Sequence, residues 1–259
     1  MERYQVILAY DGTGFRGYQR QVKARTVQGV FEAALQKLGW TGRAILAAGR
    51  TDTGVHASGQ VVAFDLEWAH KPEELCAALN ANLPEDIAAK AARVTEADFH
   101  PRYDAVMRTY RYCIVSQPNR QPLLERYAWR VWPSVEFELL QGAALLLLGA
   151  HDFAAFGTPP RRRGSTWRTV FHALWSNSEP ELDFEIRADA FLYRMVRRLV
   201  SFQVEIGQGK RPLDDLAQCL AEPPVSLVQG LAPPQGLTLV EVTYPPEARM
   251  TESINAELV

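Results

Sequence analysis

Apolar or alternating segments are interleaved with segments of helical periodicity along this chain of 259 residues. Alternation with a period of two is typical of strands, whereas apolar residues three and four apart are typical of helices. These patterns predict strands at 6–10, 44–47, 60–64, 87–94, 108–115, 127–132, 169–175, 182–186 and 238–244. They predict helices at 27–38, 73–81, 135–148 and 191–206, with a further short helix after Pro212. The interleaving predicts an α+β protein in which helices pack against a sheet.

The predicted elements fall into two halves, and we place the boundary near residue 105. The expected domains are therefore residues 1–105 and 106–259. Two helices of the first half have favourable starts, because Thr26 is a suitable N-cap and Pro72 occupies a first-turn position that tolerates proline. A chain of this length accommodates one large or two ordinary domains. Its hydrophobic content of 47% is normal for a globular core.

Several classes of protein are disfavoured by the composition. The longest apolar run, at 143–148, is too short to span a membrane, and the first residues show no signal peptide. Cys76, Cys113 and Cys219 are widely separated and never form a Cys-x-x-Cys motif. This pattern argues against a disulfide framework and against a zinc-activated base deaminase. We therefore expect a protein of the reducing cytoplasm.

Basic residues are clustered, although the formal net charge is only −2. The clusters are Arg161, Arg162 and Arg163 in a predicted loop, Arg194, Arg197 and Arg198 on a predicted helix, and Arg16, Arg20, Lys23 and Arg25 in another loop. Local patches of this kind can follow a phosphate backbone even when the whole chain is nearly neutral. The alternative interpretation is solvated surface charge.

The segment 48–56, AGRTDTGVH, places a carboxylate in a glycine-flanked loop between two predicted strands. The glycines allow a tight turn and a close approach of the backbone to a ligand. Asp52 is therefore a candidate nucleophile or base, with Arg50 as a cationic neighbour. The alternative is an ion pair between Arg50 and Asp52 at the surface, where such pairs are common and weak.

A second glycine-rich segment, Gly12-x-Gly14-x-x-Gly17, directly follows the first predicted strand. Its spacing is that of a dinucleotide-binding fingerprint, but the fingerprint requires a helix to begin at these glycines. Residues 18–23 are polar and lack helical periodicity, and the next helix is predicted only from Val27. We therefore favour a basic, flexible loop that contacts a phosphate backbone over a nicotinamide site.

Two further residues have open interpretations. Arg197 projects at the border of the apolar face of the helix predicted at 191–206. It is either an amphipathic side chain that covers the core or a cation held for an anionic partner. Tyr110 lies in a predicted strand near Arg108 and Arg111. It is either a core residue or an aromatic side chain on which a base stacks.

Ordered segments give the chain a close resemblance to the TruA family of tRNA pseudouridine synthases along nearly its whole length. These segments are residues 10–21, AGRTDTGVH at 48–56, NANLP at 80–84, DFHPR at 98–102, RTYRY at 108–112, HDF at 151–153, MVR at 195–197 and APPQGL at 232–237. The departures are small. Tyr18 stands where the family usually has tryptophan, and Ser201 stands where it usually has glycine.

The resemblance implies isomerisation of uridine to pseudouridine in the anticodon stem-loop of tRNA, at positions 38, 39 and 40. The N-glycosidic bond breaks, the uracil turns, and carbon 5 is joined to the ribose, without a metal, a nucleotide cofactor or a redox change. The family also implies two α/β halves of the RRM or ferredoxin-like type, with joined, mainly antiparallel mixed sheets, flanking helices and a central cleft. A homodimer without a membrane partner is expected.

The same resemblance implies roles for individual residues. Asp52 is the expected catalytic carboxylate, and it attacks the ribose, adds to the uracil or acts as a base. Arg197 is its expected salt-bridge partner, and Tyr110 is expected to stack on the uracil and assist proton transfer at carbon 5. Arg50 is expected to hold the RNA or help expose the target nucleotide. The other expected RNA-binding residues are Thr51, His56, Arg20, Gln21, Arg161, Arg162 and Arg163.

Overall fold

The structure is a computed structural model that describes residues 1–159, 161 and 164–246. Its strands are β1 (Glu2–Tyr10), β2 (Leu46–Ala47), β3 (His56–Leu66), β4 (Ile87–Thr95), β5 (Met107–Ser116), β6 (Trp129–Val131), β7 (Gly149–Asp152), β8 (Trp167–Ser178), β9 (Glu181–Ala188) and β10 (Leu237–Thr243). Its α-helices are α1 (Val27–Lys37), α2 (Pro72–Asn80), α3 (Phe137–Leu145), α4 (Met195–Gly207) and α5 (Asp214–Ala221). Short 3-10 helices lie at Gly12–Gly14 and Pro234–Gly236.

Within the described residues, the strands form one 10-stranded mixed sheet in the order β4-β1-β3-β10-β5-β9-β8-β7, with β2 beside β3 and β6 beside β5. Neighbouring strands are antiparallel except for the parallel pairs β10–β3 and β5–β6. The expected α+β class with a mainly antiparallel mixed sheet is therefore confirmed. The last strand, β10, lies between β3 and β5 and joins the two halves of the sheet.

Each half of the sheet has its own hydrophobic core beneath its helices. The core of the first half includes Tyr4, Val6, Leu8, Phe31, Leu35 and Leu75. The core of the second half includes Tyr112, Leu140, Trp175, Phe184, Leu199 and Phe202. Burial of a side chain of this kind contributes about 1.5–3 kcal/mol. Because Leu237 belongs to the second core and Leu239 to the first, β10 connects both cores.

Most elements lie where the sequence pattern predicts them, but β7 was not predicted, α3 is shorter than predicted at both ends, and α4 begins later than predicted. α3 ends at Leu145 rather than at residue 148, because residues 149–152 form β7 and pair with β8. α4 begins at Met195 rather than at residue 191, because Arg194 adopts a left-handed conformation with a φ of 63°. The predicted cap of α1 is confirmed, since the Thr26 hydroxyl accepts a hydrogen bond from the Gly29 N–H at 3.3 Å.

Candidate active site

A cleft of about 730 Å³ opens at the seam between the two cores. Its walls are residues 44–52 of the first half and residues 190–197 of the second half, and the sheet contributes Tyr110. Tyr110 is the cross-strand partner of Leu239, so the cleft lies on the face of the sheet that carries the cores. The cleft therefore brings together Asp52, Tyr110 and Arg197, which are far apart in the sequence.

The loop that carries Asp52 connects β2 to β3 and is held by hydrogen bonds on both sides of the carboxylate. The Thr51 hydroxyl lies 2.8 Å from the Tyr10 hydroxyl, and the Thr51 carbonyl accepts a hydrogen bond from the Tyr18 N–H at 3.0 Å. After Asp52 the chain turns, with the Val55 N–H donating to the Asp52 carbonyl at 3.1 Å. These contacts fix the loop on the rigid strands beside it.

The glycine-rich segment after β1 packs against this loop. A Cβ atom at Gly12 would lie 2.1 Å from the Val55 carbonyl oxygen. A Cβ atom at Gly17, where φ is 87°, would lie 3.1 Å from the Thr51 carbonyl oxygen. The glycines therefore allow two backbones to meet. Because α1 begins only at Val27, the segment lacks the helix N-terminus that a dinucleotide fingerprint requires.

We expect Gly12→Ala to lower the free energy of unfolding by about 3 kcal/mol or more, the upper end of the usual cost of overpacking. The added methyl group would meet backbone atoms of Val55, which cannot rotate away. Gly49→Ala is the matched control, because a Cβ at Gly49 has no described atom within 4 Å. Urea unfolding of the two variants measures the difference. Equal unfolding midpoints would contradict the importance of this contact.

Arg197 forms the closest ion pair of Asp52. Its Nη1 donates a hydrogen bond to Asp52 Oδ2 at 2.8 Å, and its Nε donates to the Ala232 carbonyl at 2.7 Å. Arg197 is only 7% exposed, and its own carbonyl accepts from the Ala232 N–H at 3.1 Å. One planar guanidinium thus connects the carboxylate to the backbone and fixes its orientation. Asp52 Oδ1 accepts no hydrogen bond from the described residues and remains available to a ligand.

A second arginine, Arg194, approaches the same carboxylate. Its Nε lies 3.8 Å from Asp52 Oδ2. Within the described chain, Asp52 therefore pairs with Arg194 and Arg197 and not with its sequence neighbour Arg50. The sequence pattern placed Arg194 in a basic cluster, but no local signal connected it with Asp52. Its position depends on the left-handed backbone that precedes α4.

Tyr110 lies where the two cores meet. Its ring packs edge-on against Phe191, with ring centroids 5.0 Å apart. Its hydroxyl has no hydrogen-bond partner among the described residues. Burial raises the pKa of Tyr110 above its ordinary value, so the phenol is neutral near pH 7. A carboxylate held by an arginine beside a neutral phenol can attack a substrate or transfer its protons.

Comparison with known proteins identifies the family. A family model described as tRNA pseudouridine synthase matches residues 6–104 and 143–245. The chain belongs to the tRNA pseudouridine synthase family. The family resemblance seen in the sequence motifs is therefore confirmed, and the activity is isomerisation of uridine to pseudouridine in tRNA.

Three similar proteins are each named tRNA pseudouridine synthase A. The protein of Shouchella clausii is 42% identical over 94% of both chains. That of Syntrophomonas wolfei is 38% identical over 96% of this chain and 100% of its own. That of Limosilactobacillus fermentum is 39% identical over 94% of this chain and 96% of its own. The similarity to these synthases thus extends over nearly the whole chain.

Three residues that the family resemblance assigns to RNA binding are exposed at the surface of this synthase. Arg50 is exposed and lines the cleft. Gln21 is exposed in a shallow depression that also contains Thr53, which follows Asp52 in the sequence. Arg161 is exposed too, whereas Arg162 and Arg163 lie outside the described residues.

Two others have partners within the synthase. Arg20 Nη1 pairs with Glu32 at 2.6 Å, although half of the arginine side chain is exposed. Thr51 is buried, and its hydroxyl is bonded to Tyr10. Thr51 therefore lines the cleft next to Asp52 with little exposed surface, and its bond to Tyr10 positions the loop.

His56 lies on the opposite face of the sheet from the cleft. His56 pairs with Thr238 of β10, whereas Tyr110 pairs with the next residue, Leu239. Because successive side chains of a strand point to opposite faces of the sheet, His56 and Tyr110 lie on opposite faces. The Nδ1 of His56 accepts from the Gly12 N–H at 3.0 Å, and its Nε2 donates to the Gln235 carbonyl at 3.1 Å. Burial lowers the pKa of His56, so the ring is neutral near pH 7. This placement differs from the expected RNA contact, because His56 braces backbone behind the site.

The described residues contain no group of three or more His, Cys, Asp or Glu side chains able to hold a metal ion. In the same part of the chain, no helix has the length and apolar character needed to cross a membrane.

Proposed function

We propose that this synthase converts uridines at positions 38, 39 and 40 of the tRNA anticodon stem-loop, with Asp52 as its essential carboxylate. The main support is the 2.8 Å ion pair between Asp52 and Arg197, which lies with Tyr110 in one cleft. These residues match the motifs that carry the resemblance to the TruA family. Both halves of the chain contribute to the cleft, so the site forms only in the folded protein.

The reaction requires a group that acts on the ribose or the uracil and then leaves. The N1–C1′ bond breaks, the uracil turns, and a C5–C1′ bond forms. The C5 proton is lost and N1 gains a proton, so the product is an isomer of the substrate. Ionised Asp52 serves by attacking the anomeric carbon, by adding to the uracil ring, or by taking a proton in a glycal pathway. Each of these roles requires a carboxylate oxygen that accepts no hydrogen bond from the described residues, and Asp52 Oδ1 is such an oxygen.

The residues around Asp52 have separate roles in the proposed reaction. Arg197 stabilises the ionised carboxylate and holds its orientation through the bond to the Ala232 carbonyl. Tyr110 stacks on the uracil, and its neutral hydroxyl assists proton transfer at carbon 5. A paired uridine must leave its stack, which costs a few kcal/mol. Contacts of Arg50 and Arg161 with the phosphate backbone help to offset that cost.

A homodimer is also part of the proposal, with one subunit positioning the tRNA body while the other carries out the reaction. On α3, Leu140 is buried whereas Leu145 is 61% exposed, so the helix has an outer apolar position available for contact. Light scattering of the purified protein is expected to give twice the chain mass of 29.1 kDa. The mass of a single chain at all micromolar concentrations would contradict the dimer.

Two further expectations complete the proposal. The division into domains 1–105 and 106–259 is supported by the two cores, with β10 as the strand that joins them. A cytoplasmic location is supported by the free thiols of Cys76, Cys113 and Cys219, since disulfides are rare in reducing compartments.

The direct test is tritium release from tRNA labelled at carbon 5 of its uridines, because formation of the C5–C1′ bond replaces the hydrogen at that carbon. We expect release from substrates with uridine at positions 38, 39 or 40, and none when these positions carry cytidine. Release of no tritium from any tRNA, together with tRNA binding, would favour a non-catalytic RNA-binding protein. Release from other positions alone would contradict the anticodon assignment.

Tyr110→Phe is expected to lower kcat by about 10²-fold, the lower end of the contribution of a general acid or base, with little change in KM. The ring that stacks on the uracil remains, whereas the neutral hydroxyl is lost. Tyr110→Leu removes both and is expected to raise KM as well. Steady-state tritium release measures both parameters. Wild-type kcat for Tyr110→Phe would limit Tyr110 to stacking.

A further inference from the structure

Tyr193 and Arg194 form an exposed aromatic and cationic pair at the edge of the cleft. Tyr193 lines the cleft and is 52% exposed. The Arg194 guanidinium lies 4.8 Å from the centroid of the Tyr193 ring, within the range of a cation–π contact. Proteins commonly bind unstacked RNA bases on such exposed aromatic rings. The catalytic steps proposed above leave this pair unused.

The backbone holds the pair in place. The Tyr193 N–H donates to the Thr158 carbonyl at 3.0 Å, and the two residues form a β-bridge. Behind them, a Cβ at Gly157 would lie only 2.5 Å from the Cβ of Leu192, so the two segments are in close contact. Arg194 has a φ of 63°, which is uncommon for a residue other than glycine. A strained conformation of this kind persists only when its surroundings enforce it.

The charge near Asp52 exceeds what one carboxylate balances. Asp52 Oδ2 accepts its hydrogen bond from Arg197 at 2.8 Å, whereas Arg194 Nε lies at 3.8 Å, beyond hydrogen-bond distance. Arg198 is a third cation, and its pKa is lowered by burial and by the charges of Arg194 and Arg197. The cluster therefore retains positive charge and hydrogen-bond donors for an anion such as a phosphate.

We propose that Tyr193 and Arg194 hold the nucleotide next to the target uridine, with its base stacked on Tyr193 and its phosphate bound to Arg194. The inference rests on the proposed function, because it takes Asp52 as the point that the uridine must reach. Arg194 lies beside that carboxylate, so the RNA segment that delivers the uridine also passes Tyr193 and Arg194. Arg194 is in this sense a positioning residue of the reaction.

The salt dependence of binding tests the arginine contact with an unmodified anticodon stem-loop RNA as the probe. Arg194→Asn removes the charge and introduces a residue that tolerates the left-handed conformation. We expect the slope of log Kd against log salt to fall by about 0.7–0.9, the contribution of one phosphate. Arg194→Lys keeps the charge and is expected to keep the slope.

The matched control is Arg187→Ala, since Arg187 pairs with Glu185 on β9 and lies outside the cleft. An unchanged slope for Arg194→Asn would overturn the contact.

Steady-state kinetics on full-length tRNA test the stacking contact. Tyr193→Ala is expected to raise KM by about 5- to 150-fold, the range for loss of one stacked base. A contact made equally in the ground and transition states changes KM and leaves kcat unchanged. Tyr193→Phe retains the ring and is expected to behave as wild type. A KM for Tyr193→Phe as high as that for Tyr193→Ala would overturn stacking.

The kinetics of Arg194→Asn separate this proposal from a role through Asp52. A raised KM with unchanged kcat supports the phosphate contact. A lowered kcat with unchanged KM would show that Arg194 acts on the carboxylate, and would overturn the proposal. Failure of the proposed function is a separate result. If the wild-type protein releases no tritium, that function fails, while the salt dependence of RNA binding still decides whether Arg194 binds a phosphate.

Discussion

Asp52→Asn is expected to reduce pseudouridine formation to below about a thousandth of the wild-type rate. Loss of one acid or base costs about 10²–10⁴-fold, and loss of a nucleophile removes the covalent route. The amide oxygen can still accept the hydrogen bond that Arg197 Nη1 donates at 2.8 Å, so the cleft keeps its shape. We therefore expect a folded variant that binds tRNA with wild-type affinity. Single-turnover tritium release and an RNA binding assay measure the two properties.

Asp65→Asn is the matched control for this prediction. Asp65 forms a comparable ion pair with Arg3 at 2.7 Å, but neither residue lines the cleft. We expect full activity from this variant. Turnover of Asp52→Asn at more than about a tenth of the wild-type rate would exclude the essential role of Asp52, because even a minor acid–base contribution exceeds that loss.

Arg197→Lys is expected to lower kcat by about 10- to 100-fold, and Arg197→Met by more. The guanidinium bonds Asp52 Oδ2 at 2.8 Å and the Ala232 carbonyl at 2.7 Å at the same time, whereas the lysine ammonium is a compact point charge. A hydrogen bond to a charged group contributes about 1.5–3 kcal/mol, and this energy converts to roughly that loss of rate. Steady-state kinetics and urea unfolding measure the effects on rate and stability.

Arg3→Lys provides the matched control, because Arg3 also connects a carboxylate, that of Asp65, to a backbone carbonyl, that of Phe99 at 3.0 Å. We expect this variant to lose stability and keep its activity. Since Asp52 and Arg197 act as a unit, the double variant Asp52→Asn/Arg197→Met is expected to be no slower than the slower single variant. If the rate of the double variant fell by the product of the two single-variant losses, Asp52 and Arg197 would act independently.

Local patterns in the chain were sufficient to predict most of the fold and the segment that carries the candidate carboxylate. Strands such as β1 and β5 show their alternation within a few residues, and α1 shows both its periodicity and its Thr26 cap. The ordered motifs also identified the family, since many residue types in a fixed order seldom coincide by chance. The glycine spacing at 12–17 was ambiguous. The spacing alone does not show whether the glycines begin a helix, as in a dinucleotide-binding site, or pack against the backbone of another loop.

The contacts that define the site were decided only by the tertiary structure. Arg197 is 145 positions from Asp52 in the chain, and the packing of α4 against the seam brings the two within 2.8 Å. The pleat of β3 turns His56 away from the cleft, although His56 belongs to the same motif as Asp52. Arg194 approaches the carboxylate because its backbone is left-handed, and an arginine in the sequence does not predict that conformation. Register and packing between distant segments set these contacts, and neither leaves a local pattern in the sequence.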